Sequence, residues 1–172
     1  MRRSFAGAGV ALVTPFTKDG ALDEAALRRL VRRQVDGKID VLVPCGTTGE
    51  SATLSADEQE RVIALTVEEA GGRVPVLAGA GSNDTRSAIE KTRRAAAAGA
   101  AGILSVGPYY NKPTPEGYYR HFAAIADASP VPVVFYNVPP RTGSNIDVKT
   151  QLRLAGHGNI AGVKEASGNL GQ

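Results

Sequence analysis

Six short apolar runs punctuate the chain: Gly9 to Val13, Val41 to Pro44, Val74 to Ala78, Gly102 to Val106, Val131 to Tyr136 and Ile160 to Val163. Each begins 28 to 33 residues after the one before. None is long enough for a helix, and continuous apolar runs of this length predict strands buried on both faces. Helical patterns lie between them. Asp23 opens one that carries Leu27, Leu30, Val31 and Val35. Ser55 with Glu58 three residues on is a capping box for a second, with Val62, Ile63 and Leu65 on its apolar side. Asn83 or Asp84 caps a third over Ser87 to Ala98, and Pro115 stands in the first turn of a fourth that runs through Phe122 and Ile125. Asp147 opens a shorter fifth that ends near Gly156.

The order is strand then helix, repeated, with a sixth strand last. A unit of this size predicts parallel strands joined by right-handed crossovers in a single domain over residues 1–172. Two architectures fit. A doubly wound sheet suits six strands. An (β/α)8 TIM-type barrel takes about 250 residues, so only its first six strands would be present. Length alone favours the sheet, and the residues at the strand ends favour the barrel.

Composition narrows the function classes. The 172 residues are 42% hydrophobic and carry a net charge of +3, ordinary for a globular protein. The arginines fall in helical stretches such as Leu27 to Arg33, with no basic block interleaved with aromatics, so nucleic acid is not implied. Cys45 is the single cysteine, which excludes an internal disulfide, and metal-ligand spacing is absent. It reads as a small, half-buried residue. His121 and His157 read as surface residues of a helix and a helix-ending turn. Met1 to Phe5 faintly resembles a twin-arginine export signal, but its apolar part is short and runs into Thr14-Pro15-Phe16. With no run of about 18 apolar residues, no membrane span is expected, and a cytoplasmic enzyme is the simplest setting.

In parallel α/β folds, chemistry gathers at the C-terminal ends of the strands. Those ends read Thr14-Pro15-Phe16, Gly46-Thr47-Thr48-Gly49-Glu50, Gly79-Ala80-Gly81, Tyr109-Tyr110-Asn111, Tyr136-Asn137-Val138-Pro139 with Arg141-Thr142-Gly143, and Lys164. The set holds hydroxyls, phenols, one arginine and one amine. An amine in an apolar, crowded place has its charged form disfavoured and can attack a ketone. The iminium so formed is an electron sink for making or breaking carbon–carbon bonds. A phenol can shuttle the protons, and hydroxyls with N–H groups in a Gly-flanked turn can anchor a keto acid. A guanidinium such as Arg141 can hold a second carboxylate. Dinucleotide and Walker fingerprints are missing.

Four segments carry a resemblance: Gly46 to Ser51, Tyr109 to Pro113, Tyr136 to Gly143 and Gly162 to Ala166. In order and spacing the chain resembles the dihydrodipicolinate synthases, within the pyruvate-dependent Schiff-base lyases that also include N-acetylneuraminate lyase. The resemblance implies condensation of pyruvate with L-aspartate semialdehyde to 4-hydroxy-tetrahydrodipicolinate, a step of lysine and diaminopimelate biosynthesis. Lys164 would form the Schiff base, and no separate cofactor or metal is needed. Tyr136 would be the general acid/base, and Thr47 would link it to Tyr110, which in the family reaches in from a neighbouring subunit of a homodimer or homotetramer. Thr48 would bind the pyruvate carboxylate and Arg141 that of the semialdehyde. The alternatives are another pyruvate-dependent aldolase, for N-acetylneuraminate or keto-sugar acids, and an inactive truncated fragment. Arg141 and the Tyr109-Tyr110 pair weigh against the sugar-acid enzymes.

The family barrel has eight strands, so strands 7 and 8 and the helices after strands 6 to 8 are expected to be absent. Open edges pair or aggregate, and the chain by itself is expected to be poorly soluble or oligomeric and inactive. Lysine-inhibited relatives carry a glutamate in the helix after strand 3 where this chain has Ser87, and some carry histidine at the positions of Ala56 and Gln59. Lysine feedback is therefore expected to be weak or absent. Calorimetric titration of lysine checks this, and sub-micromolar binding in a full-length homologue carrying Ser87 would refute it.

Overall fold

The computed structural model describes residues 5–172, and the arginine pair of the export-like segment lies outside the described residues. Six parallel strands alternate with helices, as the pattern predicts. The chain divides into two compact units, residues up to 79 with 94–102, and residues 80–93 with 103–172.

In the first unit β1 (Gly9–Ala11) pairs in parallel with β2 (Val41–Val43), Gly9 opposite Val41. The third strand starts later than its apolar run, because Pro75 has no N–H to give a ladder. Val76 makes only a parallel bridge to Leu42, and β3 covers Leu77–Gly79. Helix α1 (Glu24–Asp36) is capped by the Asp23 carboxylate, which accepts from the Ala26 N–H. Both halves of the predicted box cap α2 (Ala56–Ala70): Glu58 N–H donates to Ser55 Oγ at 3.2 Å, and Ser55 N–H donates to Glu58 Oε2 at 2.8 Å. Such a cap contributes about 1 kcal/mol. Leu27, Val31, Val62 and Leu65 are buried, while Arg28 and Arg32 meet Glu68 and Glu69 at the surface. Cys45 is fully buried rather than half-buried, at 1% exposure.

In the second unit β4 (Gly102–Val106), β5 (Val133–Asn137) and β6 (Ile160–Glu165) lie side by side in parallel. Helix α3 (Thr85–Ala97), whose residues from 94 on belong to the first unit, begins at Asp84, whose carboxylate accepts from Ser87 N–H and Oγ. Thr114 caps α4 (Pro115–Ala128), and its Phe122 ring sits 5.4 Å from that of Phe135 on β5. Asp147 caps α6 (Val148–Ala155), whose Leu154 is buried.

Three features depart from the sequence pattern. A one-turn helix, α5 (Pro139–Thr142), follows β5; four residues show no period, and the signal was Pro139-Pro140 ahead of Gly143. β6 is not buried on both faces: Val163 is 40% exposed, and on the described residues β6 is paired only along its β5 edge. His121 is not a surface residue but buried at 5% exposure. Tyr118, His121, Phe122 and Ile125 share the inner face of α4, a spacing that the sequence displays. The His121 Nδ1 lies 2.9 Å from Thr85 Oγ1, and its ring stands edge-on to Phe122 at 5.1 Å. His157 is half-buried, with its Nε2 3.0 Å from Asp127 Oδ1.

Burial lowers the pKa of His121 to about 4, against a weaker opposing pull from Asp84. The folded state thus prefers the neutral ring, and protonation favours unfolding. This contribution to stability is complete above pH 6.5 and drains away as pH falls toward about 4. A His121→Leu variant should lose that component. Its urea midpoint will fall less than the parent's between pH 7 and pH 4.5, and parallel pH dependences would exclude the assignment.

Candidate active site

In parallel strands, directly paired residues point to the same face. Val106, Tyr136 and Lys164 form one such row, since Val106 pairs with Tyr136 and Tyr136 with Lys164. The Lys164 Nζ lies over the Tyr136 ring, 4.3 Å from its centroid. Tyr136 itself is buried. Two of the predicted site residues are thus brought together by strand pairing alone.

That pairing depends on an irregularity. Val133 pairs with Ile160, but Val134 pairs with Gly162, so Ala161 has no partner on β5. Without the extra residue Val163 would oppose Tyr136, and Lys164 would point to the other face, since a one-residue slip inverts a strand. A bulge at Ala161 therefore selects lysine for the tyrosine row.

Lys164 is largely open to solvent on one side. On the other, loss of water lowers its pKa below that of an ordinary lysine. The ring face attracts the ammonium form and works against this shift, by about 0.5–1 kcal/mol at such a partly open site. Desolvation has the larger effect, and the ring keeps the amine seated.

The next rung presents its side chains to the opposite face and holds a polar cluster to which the sequence pattern assigns no role. Asn137 pairs with Glu165 and is buried at 1% exposure. Its Nδ2 donates to Glu165 Oε2 at 2.9 Å and to Asn145 Oδ1 at 2.8 Å, while its Oδ1 accepts from Ile146 N–H at 3.0 Å. Glu165 also accepts from Ser167 N–H at 2.7 Å and from Gln151 Nε2 at 2.9 Å. Burial alone would raise the Glu165 pKa, but the donors from Asn137, Ser167 and Gln151 together bring it down to about 2. The signal was present in the sequence: Asn137 and Glu165 each follow a row residue by one.

Arg141 lies on α5, exposed, and makes no ion pair among the described residues. Tyr110 is 89% exposed, with a left-handed backbone at φ 72°. A non-glycine residue held there costs about 1–3 kcal/mol. Its hydroxyl is not joined to any other predicted site residue of the second unit.

Thr47 and Thr48 belong to the first unit, in the turn after β2. Gly49 N–H donates to Gly46 O, and Glu50 N–H to Thr47 O, both at 3.1 Å. The buried Thr14 Oγ1 donates to Gly49 O at 2.7 Å and pins the turn. Gly79 leaves no room for a side chain, and Gly49 is tightly walled. A Cβ on Gly79 would stand 1.9 Å from the Cys45 carbonyl oxygen, and one on Gly49 would stand 3.0 Å from Leu12 O. The turn holds both threonines exposed, and their own N–H groups have no backbone acceptor among the described residues. These N–H groups and the two hydroxyls are free to donate to an acceptor from solvent. Among the described residues no group of three His, Cys, Asp or Glu side chains could hold a metal ion, and no helix is long and apolar enough to cross a membrane.

Residues 4–172 match the pattern of the Dihydrodipicolinate synthetase family. The chain is 57% identical over 172 residues to the 4-hydroxy-tetrahydrodipicolinate synthase of Chloroherpeton thalassium, a match covering 99% of this chain and 57% of that one. A solved structure of the chloride-inhibited dihydrodipicolinate synthase of Acinetobacter baumannii, complexed with pyruvate, superposes with a TM-score of 0.96 at 45% identity, over 98% of this chain and 58% of that one. The enzyme of Cyanidioschyzon merolae with lysine bound gives 0.94 at 43% identity, over 99% and 59%. The chain thus spans between half and two thirds of the length of these relatives. They are TIM-barrel enzymes, and this fold covers the N-terminal part of such a barrel, which decides against the doubly wound sheet.

The amine's setting can be measured directly. Competitive acylation read by mass spectrometry should give Lys164 a lower pKa than the other lysines. Tyr136→Ala, which opens the buried side to water, should move it back toward the ordinary value of 10.5. An unshifted amine in the parent would contradict the desolvation assigned to it.

Proposed function

The chain belongs to the dihydrodipicolinate synthetase family, and we propose that the protein condenses pyruvate with L-aspartate semialdehyde to 4-hydroxy-tetrahydrodipicolinate through a Schiff base on Lys164. The observation that carries this reading is the pairing of Lys164 with Tyr136, amine over ring at 4.3 Å.

The uncharged amine adds to C2 of pyruvate and, with loss of water, forms an iminium. The lowered pKa of Lys164 supports this step, because more of the amine is free at neutral pH. A proton then leaves C3, and the enamine attacks the aldehyde carbon while the aldehyde oxygen takes up a proton. The amino group of the bound semialdehyde adds to C2 and displaces Lys164, closing the ring and freeing the enzyme. The iminium formed on Lys164 is itself the electron sink, so no separate cofactor enters.

Tyr136 moves the protons, with Thr47 connecting it to Tyr110. Thr48 and the turn's N–H groups hold the pyruvate carboxylate, and Arg141 takes that of the semialdehyde. Tyr110 serves the site of a neighbouring copy in a homodimer or homotetramer; its near-complete exposure is compatible with that role. The setting is cytoplasmic. An aldolase for sugar acids is the second reading, and Arg141, free of any ion pair among the described residues, favours a dicarboxylate product over it.

Borohydride added with pyruvate should leave a reduced adduct on Lys164, located by peptide mass. Lys164→Ala should lose it, and Tyr136→Phe should slow turnover by about 10²–10⁴-fold. A panel of acceptor aldehydes then separates the semialdehyde from sugars. Failure of pyruvate to form any adduct would exclude both readings.

A further inference from the structure

We propose that Asn137 and Glu165 form a clamp behind the catalytic row, and that this clamp positions the Lys164 amine by holding β6 in its bulged register. The inference rests on the reading of Lys164 as the nucleophile.

The geometry is that of two consecutive rungs. Tyr136–Lys164 presents its side chains on one face, and Asn137–Glu165 presents its own on the other. On β6 the buried Ile160 lies ahead of the bulge, and the Asn137–Glu165 rung lies beyond it. The Val133–Ile160 pair is common to both registers, so it does not choose between them. The backbone leaves a competing arrangement within reach, in which Ala161 joins the ladder and Lys164 turns to the opposite face.

The polar cluster opposes that slip. Ala166 N–H donates to Asn137 O at 2.9 Å, directly after the clamp. Asn137 Nδ2 reaches both carboxylate oxygens of Glu165, at 3.1 and 2.9 Å. Gln151 Nε2 ties the same carboxylate and Ile146 O to α6, each at 2.9 Å. Gln172 Nε2 adds a donor at 3.1 Å. In the slipped register Lys164 would face Asn137, and the donors on Asn137, Gln151 and Gln172 would lose the Glu165 carboxylate. An ionised carboxylate accepts from all of them at once. A glutamine cannot, because its NH₂ group would face donors from Asn137, Gln151 or Ser167.

The test uses Glu165→Gln and, as the milder change, Gln151→Leu, which removes one donor at the helix surface. Both are followed by the rate of pyruvate trapping with borohydride across pH, alongside circular dichroism. A role limited to stability would lower the urea midpoint and leave the pH midpoint of trapping in place. Positioning predicts trapping about 10- to 100-fold slower in Glu165→Gln, with its pH midpoint moved toward that of an ordinary lysine. Gln151→Leu should shift the same way by less. If Glu165→Gln does not fold, Gln151→Leu decides. Folded variants with the parent's rate and pH midpoint overturn the clamp. A parent protein that forms no adduct refutes the Schiff-base reading instead.

Discussion

The parity of one strand governs this molecule. Parallel pairing sends neighbouring residues to opposite faces, so the identity of the residue opposite Tyr136 decides whether an amine is available to chemistry at all. One unpaired residue, Ala161, settles it in favour of Lys164. Everything described on the row follows: the ring beneath the amine, the partial loss of water, and the fall in its pKa.

The two faces of the sheet in the second unit then divide the labour. One carries Val106, Tyr136 and Lys164. The other carries Phe135, packed on Phe122, and beyond it the Asn137–Glu165 pair. Apolar packing anchors the middle of the strands, and hydrogen bonds to an ionised carboxylate anchor their ends. The second device suits a strand tip, where water is close and apolar packing thins out.

Much of this was legible in the sequence. Strand spacing, the capping box at Ser55 and the openings at Asp23, Pro115 and Asp147 are local signals, and each corresponds to an element boundary. Lys164 and Tyr136 stood out because they end successive apolar runs. The remainder was hidden for definable reasons. A single-residue register shift leaves the hydrophobic pattern unchanged, so Ala161 looked like any other strand residue. Four residues of α5 are too few to show a period. His121 was misread because its polarity outweighed its spacing with Tyr118, Phe122 and Ile125. The exposure of Val163 on β6 agrees with the open edges expected of a barrel represented by six strands.

The close approach of Gly79 to Cys45 has an evolutionary corollary. The turn that presents Thr47 and Thr48 is walled by backbone, which no side-chain substitution can carve away or pad. Its shape is fixed for as long as those glycines stay, so changes in the neighbouring side chains leave it as it is. Innovation would instead be drawn to places with room, such as the solvent-facing turn that bears Arg141. A steric constraint in one chain becomes, over many generations, a rule about which positions are free to vary.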